Sequence, residues 1–173
     1  MRALLQQRNP ISFKHINGIR RHSIVIYMEE INLKPIGVAK NSESKSRFGS
    51  FEDVVSEIIV DEKFTDALNG IEDYSHVIVV YWMDKVKDYV ITHRPQGNPE
   101  VPIIGIFACR CPPRPNPIGV TTVKLVERTE NRIKVKGLDI LDGTPIIDIK
   151  PYWPVYDNVK NGKIPDWVDK LDL

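Results

Sequence analysis

From residue 33 onward short apolar runs alternate with polar breaks, a rhythm that predicts many short strands and few helices. Leu33 to Lys40 reads as a first strand with Gly37 inside it, and Asn41 to Arg47 as a Ser- and Lys-rich loop with the composition of a mobile segment. Val54 to Val60 reads as the next strand. Asp61 to Gly70 opens on a capping acid and closes on a glycine, which predicts a short helix. Tyr74 to Met83 is the most hydrophobic run of the chain, a strand buried on both faces or with one face against a partner subunit.

Residues 84–100 form a polar connection long enough to suggest function. Pro102 to Ala108 reads as a strand, and so does 118–127. Thr129-Glu130-Asn131 is a turn that returns into Ile133 to Gly137 and makes a hairpin. Residues 138–145 form a turn before a strand at 146–150, and 151–173 read as an irregular tail with one short helix. About six strands and one or two short helices predict a mainly β fold, an antiparallel barrel or sandwich.

The length of 173 residues and the 42% hydrophobic content fit one domain with a real core. A formal net charge of +1 does not mark a general nucleic-acid binder. The distribution is uneven, however. Five of the 24 basic residues (Arg2, Arg8, Lys14, Arg20, Arg21) fall within residues 1–27 without an acid, so the other 19 face all 23 acids. That leader reads as a basic arm, a targeting peptide or the product of a start codon placed too early. The apolar run Ile24 to Tyr27 is too short for a signal peptide or a membrane span. The expectation is an early start, with Met28 opening a single domain over 28–173.

Candidate chemistry concentrates in Arg110-Cys111-Pro112-Pro113-Arg114-Pro115-Asn116-Pro117-Ile118-Gly119. Four prolines fix φ and remove backbone donors, so this loop is stiff and presents side chains. In extended polyproline geometry the two guanidinium groups start about 12 Å apart, which suits an anion larger than one phosphate. A Pro-x-x-Pro ligand motif is disfavoured because both flanks are strand-like. The two cysteines, Cys109 and Cys111, imply neither a disulfide framework nor a zinc site, since two further ligands are wanted and His76 and His93 stand isolated in sequence. Reduced thiols and no metal are expected, and His76 is expected in the core or behind a site. Asp142-Gly143-Thr144 is not an aspartyl-phosphate site, because the nucleophile position is Ile140; it is a tight turn with positive φ at Gly143. Glycine-rich nucleotide-binding loops are missing.

Phe107 to Gly119 closely resembles the signature of the TsaA-like proteins, the family of the TrmO tRNA methyltransferase. Asp139 to Pro145 with Asp148 to Tyr152 resembles its second signature, and Leu68 to His76 a third. The three occur in family order over residues 34 to about 157, as in a short, archaeal-type member without the bacterial C-terminal extension. The resemblance implies a small antiparallel β-barrel that dimerises, binds S-adenosyl-L-methionine near the subunit interface and acts in the cytoplasm. The implied reaction methylates the exocyclic nitrogen of threonylcarbamoyl-adenosine next to the tRNA anticodon. By carry-over Arg110, Val120, Asp142, Gly143, Thr144 and Pro145 line the cofactor.

Asp84 and Lys85 stand after the hydrophobic strand, where relatives commonly offer a histidine. Arg114 and Asn116 are expected to meet the anticodon loop or to brace their own loop. Asp142 is a candidate proton acceptor. Departures are Cys109 and Cys111 in place of threonine and serine, and the missing Pro-Arg-Gln run in the first-strand loop. The competing expectation is a non-catalytic barrel that binds RNA or a small ligand.

Overall fold

The computed structural model describes residues 30–44 and 51–172, and Lys34–Leu173 form one compact unit. The basic leader and its expected early start lie outside the described residues, as do residues 45–50 of the first-strand loop. Six strands close into an antiparallel barrel: β1 (Gly37–Lys40), β2 (Val55–Val60), β3 (His76–Trp82), β6 (Ile118–Thr129), β7 (Arg132–Lys136) and β8 (Pro145–Pro151), in the order β1-β2-β7-β6-β3-β8. Closure gives every barrel strand a neighbour on both sides over at least part of its length. β4 (Thr92–His93) and β5 (Ile104–Gly105) pair separately beside it.

Alternation along the strands builds the core, because successive side chains point to opposite faces. Ile58 and Val60 of β2, Val77 and Val79 of β3, Val123 of β6, Ile133 and Val135 of β7 and Ile146 of β8 all face inward and are buried. Each stabilises the barrel by about 1.5–3 kcal/mol relative to exposure. The hydrophobic run of β3 is therefore not buried on both faces. Ile78, Val80 and Trp82 stay half-buried on the outer wall, beside Ile118 and Val120 of β6. His76 is also on that wall rather than in the core, bonded to Ser75 Oγ at 2.9 Å and set edge-on to Tyr152.

Two sequence expectations change form. Asp61 does cap the next element, its carboxylate accepting from Lys63 N at 3.2 Å, but Glu62–Leu68 is a 3-10 helix and not an α-helix. Pro102 to Ala108 is not a core strand. It gives β5 and a 3-10 turn at Ile106–Ala108, with Ile103 and Phe107 exposed, because the six-stranded ladder is complete without it. In the tail α1 (Pro154–Asp157) precedes a 3-10 helix at Asp166–Lys170. Among the described residues no helix is long and apolar enough to cross a membrane.

Antiparallel pairing determines which loops meet. The C-terminal ends of β1, β3 and β7 and the N-terminal ends of β2, β6 and β8 share one mouth of the barrel. The segments after β1 and β3, the proline loop before β6 and the turn before β8 therefore surround that mouth.

Candidate functional site

Tyr81 ties these segments together from inside the barrel. It is the last inward residue of β3 and 6% exposed, so its phenol needs partners. The Tyr81 hydroxyl donates to the Asp139 carbonyl at 3.0 Å, and the Thr121 hydroxyl donates to it at 3.2 Å. Burial pushes the phenol above its ordinary pKa, with the Thr121 bond opposing, the Asp139 charge reinforcing and the Arg110 charge opposing. Gly119 lies opposite Tyr81 in the ladder, where a Cβ would run into the Tyr81 ring.

Arg110 crosses from the proline loop to β6, and its Nη2 donates to the Val120 carbonyl at 2.5 Å. β7 pairs with β6 only from Lys124 onward, so residues 118–123 have one flank without a β7 partner, and Arg110 occupies part of it. Val120 turns its side chain outward, 43% exposed. Arg114 turns inward on its own loop. Its Nη2 donates to the Ile106 carbonyl at 3.3 Å and the Cys109 carbonyl at 3.2 Å. The loop is bent rather than extended, with Arg114 N donating to Pro112 O at 2.7 Å and Ile118 N to Asn116 O at 2.7 Å. The two guanidinium groups thus have separate duties, and Asn116 is exposed on the bend.

The turn before β8 is anchored by the end of β1. Gly143 N donates to Ala39 O at 2.9 Å, Asp142 N to Glu43 O at 2.7 Å, and Thr144 Oγ1 to Leu141 O at 2.8 Å. Gly143 takes the positive φ of 81° that its place in the turn needs. Asp142 Oδ1 accepts from Asn41 N at 3.2 Å, and Oδ2 lies 3.6 Å from Lys40 Nζ. Pro145 starts β8 opposite Val38. Asn41 is a contributor the sequence reading missed: its amide donates to Ser56 Oγ at 3.0 Å and Ile140 O at 3.1 Å, and its carbonyl accepts from Glu43 N at 2.8 Å. Its only signal in sequence was an amide directly after a strand, a position that favours local backbone bonds.

Asp84 follows β3, next to the loop, as Met83 N donates to Pro117 O at 2.8 Å. Its Oδ2 pairs with Lys85 Nζ at 3.0 Å, while Oδ1 is buried without a hydrogen-bond partner. A buried carboxylate oxygen in that state calls for a donor. The structure thus gathers Asp84, Lys85, Arg110, Val120 and Asp142 to Pro145 around one mouth. A shallow groove lined by Glu52, Asp53, His76, Thr122, Lys124, Lys136 and Gly137 lies on the outer wall.

The cysteine expectation is corrected. Cys109 and Cys111 are joined as a disulfide, their Cα atoms 5.5 Å apart, instead of lying as two free thiols. His93, isolated in sequence, is brought by β4 to 3.2 Å from Cys109 Sγ. The pairing of β4 with β5 does this, and no sequence spacing announces it.

Fold and site define a closed antiparallel barrel that presents an arginine, a carboxylate and a tight turn at one mouth. Comparison with known proteins supplies the family. The model of the tRNA-methyltransferase O N-terminal domain matches residues 40–158. An S-adenosyl-L-methionine-binding protein of Archaeoglobus fulgidus is 46% identical over 131 residues, 73% of this chain and 93% of that protein. The crystal structure of TrmO from Pseudomonas aeruginosa superposes with a TM-score of 0.64 at 27% identity, over 78% of this chain and 62% of that one. A further TrmO crystal structure gives 0.66 at 29% identity, over 79% and 64%. The chain belongs to the TrmO family, and it spans less than two thirds of the solved TrmO chains it matches.

Proposed function

We propose that this chain is an S-adenosyl-L-methionine-dependent methyltransferase that acts on tRNA, methylating the exocyclic nitrogen of threonylcarbamoyl-adenosine next to the anticodon. The observation that carries the reading is the convergence of Arg110, the Asp142-Gly143-Thr144-Pro145 turn and the unpartnered Asp84 oxygen at one mouth of a TrmO-family barrel.

The donor set fits the cofactor. Arg110 spends one Nη2 hydrogen on Val120 and keeps others for a carboxylate such as methionine's. A turn of the Asp84 side chain would bring Oδ1, buried and without a partner here, out as an acceptor for an ammonium or ribose hydroxyl. When bound, S-adenosyl-L-methionine supplies an electrophilic methyl group on a sulfonium. The chain's own part is then to orient two partners and to remove a proton from the accepting nitrogen. Orientation alone can account for several kcal/mol of barrier. Asp142 is our choice for the proton acceptor, since its carboxylate is 41% exposed and fixed in place by Asn41 N.

The anticodon loop is the proposed partner, with exposed Asn116 available to it and Arg114 bracing the loop that carries Arg110. The half-exposed wall of Ile78, Val80, Trp82, Ile118 and Val120 is the surface we assign to a second copy in a homodimer. A tRNA substrate fits a cytoplasmic protein.

A second reading has a specific observation behind it. The relative from Archaeoglobus fulgidus is named an S-adenosyl-L-methionine-binding protein. A barrel that binds S-adenosyl-L-methionine or RNA without turnover is the alternative. Calorimetric titration with S-adenosyl-L-methionine tests what both cofactor-binding readings share. Saturable binding of one cofactor per chain is expected, and no heat at millimolar cofactor would contradict them.

A further inference from the structure

His93, Cys109 and Cys111 meet although they come from separate parts of the chain. His93 is held on β4 by its pairing with Ile104 of β5, and the turn at Ile106–Ala108 leads from β5 to Cys109. His93 Nε2 lies 3.2 Å from Cys109 Sγ, and one donor atom from each of the three residues falls within 4.8 Å of the others. All three side chains are half-buried, which limits competition from water without closing the site. The geometry points to a binding site for a thiophilic divalent cation of the zinc class. His93 Nε2, Cys109 Sγ and Cys111 Sγ are its ligands, and the fourth tetrahedral position is open to water or an external ligand.

Hydrogen bonds around the two cysteines hold the sulfurs in place. Cys111 N donates to Cys109 Sγ at 2.9 Å, a bond that orients the sulfur. Arg114 donates to the Cys109 carbonyl at 3.2 Å and fixes the backbone that carries that sulfur. Prolines 112, 113, 115 and 117 already hold the loop in shape, so binding orders little further chain.

The disulfide and the metal site are alternative states of the same sulfurs. A dithiol reductant, itself oxidised to a disulfide, delivers two electrons and two protons to Cys109 and Cys111 and leaves two thiols. The cation then displaces both protons to solvent and forms two metal–sulfur bonds and one to imidazole. In a tetrahedral site the sulfurs stand roughly 3.8 Å apart, given a metal–sulfur bond of about 2.3 Å. With the Cα atoms 5.5 Å apart, side-chain rotation suffices for that separation. The proposal does not rest on the methyltransferase reading.

The test is a cobalt titration of the full chain, reduced with a phosphine and kept anaerobic. One equivalent of Co²⁺ is expected to give a thiolate-to-metal charge-transfer band in the near ultraviolet, which Zn²⁺ displaces. Cys111→Ser should weaken binding by more than about 100-fold, beyond what loss of an outer partner costs. His93→Gln should weaken binding and shift the visible cobalt bands while keeping the thiolate band. Zn²⁺ should also protect both cysteines of the unmodified chain from alkylation, read by mass spectrometry, which needs no variant to fold. No charge-transfer band at excess cobalt, a band unchanged in Cys111→Ser, or equal alkylation with and without zinc would overturn the site. Cofactor binding measured on the same protein would stand independently of that result.

Discussion

Arg110 docks on Val120: its Nη2 donates to the Val120 carbonyl at 2.5 Å, on the flank of β6 that β7 leaves unpaired. A guanidinium from a loop thereby takes up one carbonyl of the strand's open flank and is itself held at the barrel mouth. If its remaining hydrogens hold a carboxylate of S-adenosyl-L-methionine, Arg110→Ala should raise the cofactor Kd about 10- to 100-fold, the range expected for a charge-assisted bond. Arg110→Lys should recover only part of the affinity, since a point charge cannot serve both partners at once. Calorimetry reads both values, and an unchanged Kd in Arg110→Ala would count against the assignment.

The close approach of Gly119 to Tyr81 is a packing constraint independent of any ligand. Gly119→Ala places a methyl group against the Tyr81 ring and should cost about 1–3 kcal/mol as the ring or strand gives way. The melting temperature should fall at about 2–4 °C per kcal/mol for a chain of this size. Differential scanning calorimetry checks it, and a variant that melts with the wild type would contradict the packing.

Tyr81 carries a pH signature. Burial, the largest influence, raises its folded-state pKa above the ordinary value near 10 that the unfolded chain has. The neutral phenol is therefore favoured by folding. Its contribution is fully present below about pH 10 and is lost as pH rises toward the raised folded value. Tyr81→Phe should cost about 1–3 kcal/mol at neutral pH by leaving the Asp139 carbonyl and Thr121 hydroxyl short of a partner. It should also flatten the alkaline loss of stability. Denaturant midpoints measured from pH 8 to 11 test both, and parallel curves for the two proteins would exclude the linkage.

Asn41 bridges β1, β2 and the turn before β8 through three hydrogen bonds. Asn41→Ala should cost about 1–3 kcal/mol and loosen residues 138–144. Hydrogen exchange should show faster amides in that turn and unchanged amides in β3. Equal exchange in both proteins would remove Asn41 from the site's support.

Strand positions were legible because alternation and turn chemistry are local. Tyr74 to Met83 and the hairpin around Glu130 could be read from their own residues, and β3, β6 and β7 stand there. Which faces those strands bury was not legible, since Ile78 and Val80 are as apolar as Val77 and Val79 and only closure decides between the sides. Pro102 to Ala108 misled for the same reason: its residues suit a strand, but the barrel had no place for it. The signature around Arg110 located the site's loop. Its bend, the inward turn of Arg114 and the approach of His93 to Cys109 depend on bonds between distant segments.

The central claim is that this barrel transfers a methyl group. The direct measurement incubates the full chain with methyl-labelled S-adenosyl-L-methionine and two matched tRNAs, one bearing threonylcarbamoyl-adenosine beside the anticodon and one unmodified there. Nucleoside mass spectrometry should find one added methyl on the modified base alone, formed more slowly by Asp142→Asn at saturating cofactor. Cofactor binding with no label transferred to either tRNA would contradict the enzyme and leave the binding protein.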